Sequence, residues 1–450
     1  MSEIAVKEQH SPALSNWFKK EDSWAIIIAL GIILLATAGF LGGGIGLFKT
    51  MAVAIPGWSG AEKLTAELTK QVTGLIYLYV FAVLVFSGGA QVMGYNGKRF
   101  AVGFSVLFLV SIVVTVLGSN QAIKDWQLET PILALLIGLL FGNTVRLPEW
   151  FQPALRTEYY VKTGIILMGA TLPFTIILAA GPAAILQALI VSFVTFGIIY
   201  FAATRLFGLD PRFSACLGAG GSICGVSAAI AIGGACRAEK QHVSVAISLV
   251  IVWAVAMIFL LPAWAKVLGL APGVAGAWIG TSEFADAAGF AAAQAIGDER
   301  AVTTFTLMKV VGRDMFVGVW AFLVAILSVT VWEKSKGAVE SIDKKEIWRR
   351  FPKFIIGFFV ASLFTTFVIT VLGTQGGTVY SKEVIGILKI LRGWAFTWTF
   401  LCIGFTTRFR ELTAVGWKPL AAFTLGVLVN VPLGYWLSSS VFAGYWLGIK

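Results

Sequence analysis

The sequence predicts an all-α polytopic membrane protein of about thirteen membrane segments, of the inverted-repeat secondary-transporter type with broken crossover helices. Three observations predict it. First, 58% of the 450 residues are hydrophobic, only 13% are charged, and the mean hydropathy is +0.86. A soluble domain of that size exposes more charge. Second, the apolar residues fall into runs of about twenty, the length that crosses a hydrocarbon core. Third, the mid-chain stretch 218–234 holds six glycines and two serines between two long apolar runs. It is poor helix material, and irregular backbone survives in a bilayer only where protein buries it or it lines a wet cavity. A helix interrupted there turns free N–H groups and partial positive charge toward the membrane centre. The same small residues also suit a helix–helix packing seam.

The elements follow in order. Residues 1–23 read as a cytoplasmic tail without a cleavable-signal pattern, so the first apolar run is expected to stay as a span. Residues 24–98 hold two added N-terminal spans, 24–47 and 74–93, joined by an amphipathic loop. The first part of the transporter core, 99–331, contains spans 99–118, 131–145, 161–180 and 182–204, with a bare turn at Gly181. Asp210, before Pro211, reads as an N-cap for the first crossover segment, 213–236. Span 242–265 leads to a second Ala/Gly-rich crossover segment, 275–297, and then to span 304–331. A cytoplasmic linker at 332–353 carries seven basic residues, and the C-terminal core spans occupy 354–450, the last with a kink expected at Pro432. A cytoplasmic N-terminus places this linker and most Lys and Arg inside.

Composition narrows the function. The formal charge of +11 is assigned to orientation in the membrane, not to nucleic acid. Cys216, Cys224, Cys236 and Cys402 show no CxxC spacing, and His10 and His242 are the only histidines, so no metal site and no cofactor are expected. The expected partners are a small anion, a coupling proton or sodium ion, membrane lipid and further copies of the chain.

Charge inside an apolar run marks function by default. Lys309 and Arg313 are four apart and share a helix face. Arg313 needs a partner, and Asp314 points about 100° away from it. Glu283 and Asp286, three apart on one helical face, are the better mates. The expected substrate-binding set is Ser222, Cys224, Gly225, Ser227, Ser282, Lys309 and Arg313, with the guanidinium facing an oxyanion at the half-helix end 222–225. Glu283, Asp286 and Asp314 are the coupling-ion set. A buried ion pair joining two helices is the structural alternative for the charges.

Two internal echoes support duplication. The stretch 163–174 resembles 400–409, on spans expected to run in opposite directions. The region from Gly221-Ser222 resembles that from Thr281-Ser282, although counting each weak segment as one crossing makes this second pair parallel.

Gly208-Leu209-Asp210, followed by Gly-Ala-Gly-Gly-Ser-Ile-Cys-Gly at 218–225, resembles the YeiH-like family of bacterial inner-membrane proteins, regarded as sulfate exporters. The likeness runs from about residue 100 to the C-terminus. It implies an inner-membrane transporter related to inverted-repeat antiporters and symporters. Where it implies Ser-Thr-x-His-Glu-x-Ala-Gln, this chain reads Thr-Ser-Glu-Phe-Ala-Asp-Ala-Ala at 281–288, so a different anion is open. The reading is a secondary transporter exporting a small anion such as sulfate or a sulfonate. The alternatives are a sodium- or proton-coupled symporter of an organic acid, a membrane enzyme, or a scaffold. No Ser/Cys–His pairing or HExxH run favours an enzyme.

Overall fold

A computed structural model describes residues 17–125, 130–332, 352–408 and 416–449. The described residues include eight helical runs long and apolar enough to cross a membrane. The expected tail before residue 17 and nearly all of the basic linker lie outside the described residues. The chain is a polytopic, helical membrane protein.

Helices α1 (Glu21–Leu41), α2 (Ala61–Val92) and α3 (Gly97–Gly118) come first. Leu84 and Leu109, on α2 and α3, are among their many exposed apolar residues, as a lipid-facing surface requires. Two shorter helices follow, α4 (Thr130–Thr144) and α5 (Thr157–Thr171), and then α6 (Phe174–Phe201). The turn between α5 and α6 falls at Leu172-Pro173, not at Gly181 as the sequence predicts. Pro173 lacks an N–H and serves as the N-cap, and α6 absorbs Pro182 without ending.

The largest departure is at the two Gly-rich segments. Helix α7 (Pro211–Ser222) ends at a three-residue turn, and α8 (Val226–Ala235) runs back beside it. Asp210 caps α7 by accepting from the N–H groups of Arg212 and Phe213, as predicted. Arg212 Nη1 donates to the Arg237 carbonyl at 3.4 Å, so the two ends of the hairpin meet at one base. The next helix, α9 (Lys240–Val267), runs alongside α7. His242 stacks on Phe213 at 4.5 Å, and a methyl on Gly220 would meet Val250 at 2.8 Å. At 28 residues α9 is about 42 Å long and carries the chain to the opposite face.

There the pattern repeats. Helix α10 (Pro272–Ser282) enters, α11 (Asp286–Gln294) returns, and α12 (Glu299–Leu327) crosses. Gly276 lies against Ala301 and Thr304, and Gly280 against Met308, so α10 runs with α12. The Phe290 ring meets Phe305 at 4.7 Å and Asp286 meets Lys309 at 3.6 Å, so α11 runs against it. Segments 213–236 and 275–297 are therefore re-entrant hairpins that enter and leave on one face each, not broken crossing helices. Small residues allow it, since a side chain at Gly220, Gly233, Gly276 or Gly289 would collide with the neighbouring limb or helix. The two hairpin units point in opposite directions, where counting crossings makes them parallel.

Helix α13 (Lys353–Tyr380) runs with α5, since Phe174 N donates to Thr366 Oγ1 at 2.9 Å. It breaks at Gly373, whose φ of 66° only glycine adopts easily. Helix α14 (Gly386–Thr406) returns against α5, with Thr171 bonded to Arg392 and Cys402 near Ala154. Spans α5 and α14, which carry the first echo, are thus antiparallel as expected. Helix α15 (Trp417–Trp436) runs on past Pro432 and lies across both hairpins through Phe423, Asn430 and Gly434.

Two pairs of variants test this packing and topology. A methyl on Gly404 would lie only 2.6 Å from Gly138 Cα and the Leu135 carbonyl oxygen, a backbone clash, whereas Gly386 faces open space. Gly404→Ala is expected to cost about 1–3 kcal/mol in detergent unfolding, and Gly386→Ala to be neutral or stabilising. Gly208→Cys and Glu239→Cys, one on each flank of the first hairpin, are expected to react with an impermeant thiol reagent from the same membrane face. A crossing helix would place them on opposite faces.

Candidate functional site

The two hairpins meet at their tips. The first break is Ile223-Cys224-Gly225, with Gly225 at φ 73°. The second is Glu283-Phe284-Ala285, in extended backbone at Glu283 and Ala285. The Phe284 carbonyl lies so close to Gly225 that no Cβ would fit there. Gly225 therefore sets both the turn and the close approach of the second hairpin.

A helix that ends in the apolar interior leaves carbonyls without partners. Helix α12 supplies them. A seven-residue π-helical turn, Leu307–Arg313, interrupts it beside the tips; such widened turns recur at functional sites. Lys309 Nζ donates to the carbonyls of Ile223 at 2.9 Å and Glu283 at 3.2 Å. Arg313 Nε donates to Ser222 O at 3.2 Å, and its Nη1 donates to the carbonyls of Gly280, Thr281 and Glu283 at 2.8–3.0 Å. Both cations are fully buried. They bind the carbonyl ends of α7 and α10 and tie the hairpins together.

This changes the geometry expected for the charges. The end at Ser222 is a carbonyl end, so the guanidinium faces backbone oxygens there. The amide end begins at Gly225. Glu283 and Asp286 do not share a helix face, because Glu283 lies in the break. Its Oε1 accepts from Phe284 N and Ala285 N at 2.9 and 3.2 Å, two N–H groups of the break just before α11. Arg313 reaches the Glu283 carbonyl instead of its carboxylate. Asp314 is fully buried and neither of its carboxylate oxygens has a hydrogen-bond partner. Ser222 Oγ and Arg313 Nη2 also lack one. Ser282 Oγ lies 3.4 Å from Thr281 Oγ1, and Ser227 is half-buried on the first turn of α8.

Beside the tips lies a cavity of about 210 Å³. Cys224 and Val226 line it from the first hairpin, and Ala285 to Ala288 from the second. The first turn of α8 has no side-chain cap, so its N–H groups and the helix dipole are directed at this space. Asp286 lines the cavity and sits 3.6 Å from Lys309. Thr157 and Glu158 close it from α5, and Thr406 and Thr407 from the end of α14. Of the residues predicted from sequence, Cys224 and Asp286 reach the cavity wall, while Gly225, Ser222, Ser227, Ser282, Glu283, Lys309, Arg313 and Asp314 do not line it. Glu158 was missed because it reads as a surface charge at a span end. Asn430 was missed too; it donates to Thr195 Oγ1 and to the Thr281 carbonyl at 3.0 and 3.2 Å. A lone Asn in a late apolar span was the available signal.

Arg313→Met would take one donor from each of four backbone carbonyls of the tips, leaving that of Gly280 without a side-chain partner while Ser192, Asn430 and Lys309 still reach the other three. The expected cost is about 1–3 kcal/mol, read in thermal unfolding. Ser222→Ala removes an oxygen that has no partner and is expected to be neutral or mildly stabilising. An Arg313→Met protein as stable as the parent would remove the cations from this bracing role.

A profile for the family Conserved hypothetical protein 698 matches residues 102–423. A UPF0324 membrane protein of Nitratidesulfovibrio vulgaris is 33% identical over 380 residues, which cover 83% of this chain and 65% of the relative. The chain thus spans about two thirds of that relative's length. A UPF0324 membrane protein of Rhodopirellula baltica is 32% identical over 85% of this chain and 70% of its own length. The UPF0324 inner membrane protein YeiH of Salmonella typhimurium is 28% identical over 72% of this chain and 88% of its own. No solved structure matches.

Proposed function

Since the chain belongs to the Conserved hypothetical protein 698 family, with UPF0324 membrane proteins among its relatives, we propose that it is a secondary transporter of a small anion such as sulfate or a sulfonate. It works by alternating access around the two hairpin tips, as in inverted-repeat transporters. The observation that carries this reading is a largely apolar cavity with a few polar groups, where two oppositely directed hairpins meet and the first turns of α8 and α11, neither with a side-chain cap, form part of the wall. Free N–H groups and a helix dipole attract an anion there without a cationic side chain. Lys309 and Arg313 brace the site from behind.

The thirteen segments of the sequence reading then become eleven crossings and two hairpins. This arrangement puts Arg237 and Lys240 on the face of Arg205 and Arg212, and moves Lys266 to the other face. The resulting bias favours a cytoplasmic N-terminus.

Coupling to a proton or sodium ion is the second element. Asp286 and Glu158 line the same cavity as the amide end, so a cation bound there offsets the charge of the anion. The same pair favours the runner-up, a symporter of an organic acid. A hydrolase is disfavoured by position. His242 stacks on Phe213 at the outer end of α7, about 16 Å of helix away from Cys224.

Purified protein screened against sulfate, sulfite, sulfonates and small carboxylates tests the reading. A ligand at 100 times its Kd is expected to add about 2.7 kcal/mol of stability, and the same anion should move into proteoliposomes. Asp286→Asn is expected to keep binding the anion while its flux ceases to respond to an imposed proton or sodium gradient. Neither a shift nor a flux with any of these anions would sink the proposal.

A further inference from the structure

A second cavity, of about 430 Å³, opens on the other side of the second hairpin. Gln294, Gly297 and Glu299 line it at the hairpin base, and Gly393, Trp394 and Thr397 line it from α14. The two cavities share two walls. On α11, Ala287 faces the smaller cavity and Gln294 the larger. On α14, Thr397 faces the larger, and Ile403 and Thr407 the smaller. Residues spaced three or four apart lie on one helix face. Phe290 therefore stands on the stripe between Ala287 and Gln294, and Phe400 on the stripe between Thr397 and Ile403.

Those positions are closed by rings. Phe290 stacks on Phe396 at 4.5 Å, and Phe396 meets Phe400 at 6.3 Å. All three are 0–1% exposed. We infer that the larger cavity is the opposite mouth of the transport pathway, and that Phe290, Phe396 and Phe400 form the gate that separates it from the hairpin tips. The inference rests on the transport reading and extends it by a second solute-accessible site. A charged solute cannot pass three packed aromatic rings without losing its hydration, which makes the barrier effective. The rim of this mouth does not repel an anion. Asp298 is paired with Arg300 at 2.6 Å and Glu299 with Arg392 at 3.0 Å. Gln294 brings a carboxamide to its inner wall, a polar group that carries no charge.

The test uses the full chain in right-side-out and inside-out vesicles with an impermeant thiol reagent, the parent chain with its four buried cysteines setting the background. Ala287→Cys is expected to react from one face only, and Gln294→Cys from the opposite face only. Adding Phe290→Ala or Phe396→Leu to Ala287→Cys is expected to make the thiol reactive from both faces. Labelling of positions 287 and 294 from the same face overturns the inference without any gate variant. So does a folded, monodisperse Phe variant in which Ala287→Cys stays one-sided. Flux of an anion together with same-face labelling defeats the gate alone, whereas two-faced labelling without flux of any anion defeats the transport reading alone.

Discussion

Two cations on one helix hold the centre of this protein together. Lys309 and Arg313 donate six hydrogen bonds to the carbonyl ends of two helices that stop inside the apolar interior. A helix end without a partner costs several kcal/mol per group where water is absent. A buried cation without oxygen ligands costs more. Each defect is the remedy for the other, so the breaks and the charges have to occur together. The π-helical turn at Leu307–Arg313 brings both side chains to the same place, and Gly225 lets the second tip close over the first.

From that junction the arrangement of the termini follows. The carbonyl ends of α7 and α10 turn toward α12 and are neutralised there. The amide end of α8 turns the other way, toward the smaller cavity, with no side chain of its own to satisfy it. The Glu283 carboxylate satisfies the Phe284 and Ala285 N–H groups of the second break, and the first turn of α11, like that of α8, has no side-chain cap and lines the smaller cavity. Both hairpins therefore turn their carbonyl ends to the bracing cations and their amide ends to the cavity.

The hairpins fold back because their limbs and neighbours are built from glycine and alanine. Gly220, Gly233, Gly276 and Gly289 each sit where a side chain would collide with an adjacent limb or helix. In a bilayer, close backbone approach replaces the hydrophobic drive that packs helices in water. The aromatic residues add to this by filling the remaining space between α11, α12 and α14.

Membrane class, the positions of most spans and the residues at the centre were legible in the sequence, because hydropathy acts over about twenty residues and buried charge is conspicuous in an apolar run. Asp210 as a cap, the glycine-rich segment around Gly225 as a break, and Arg313 as a buried group could be named that way, whereas Lys309, one turn inside its span and expected to snorkel to the interface, is fully buried on the hairpin tips. The direction of the chain after each break could not. A glycine-rich segment of two dozen residues crosses or doubles back according to whether its limbs find each other or a partner on the far side, and that depends on contacts such as Arg212 with Arg237 and Gly276 with Ala301. The same limit applies to the charges. Their burial was a property of the chain, but whether they meet a solute or a carbonyl was decided by which helix end the fold turned toward them.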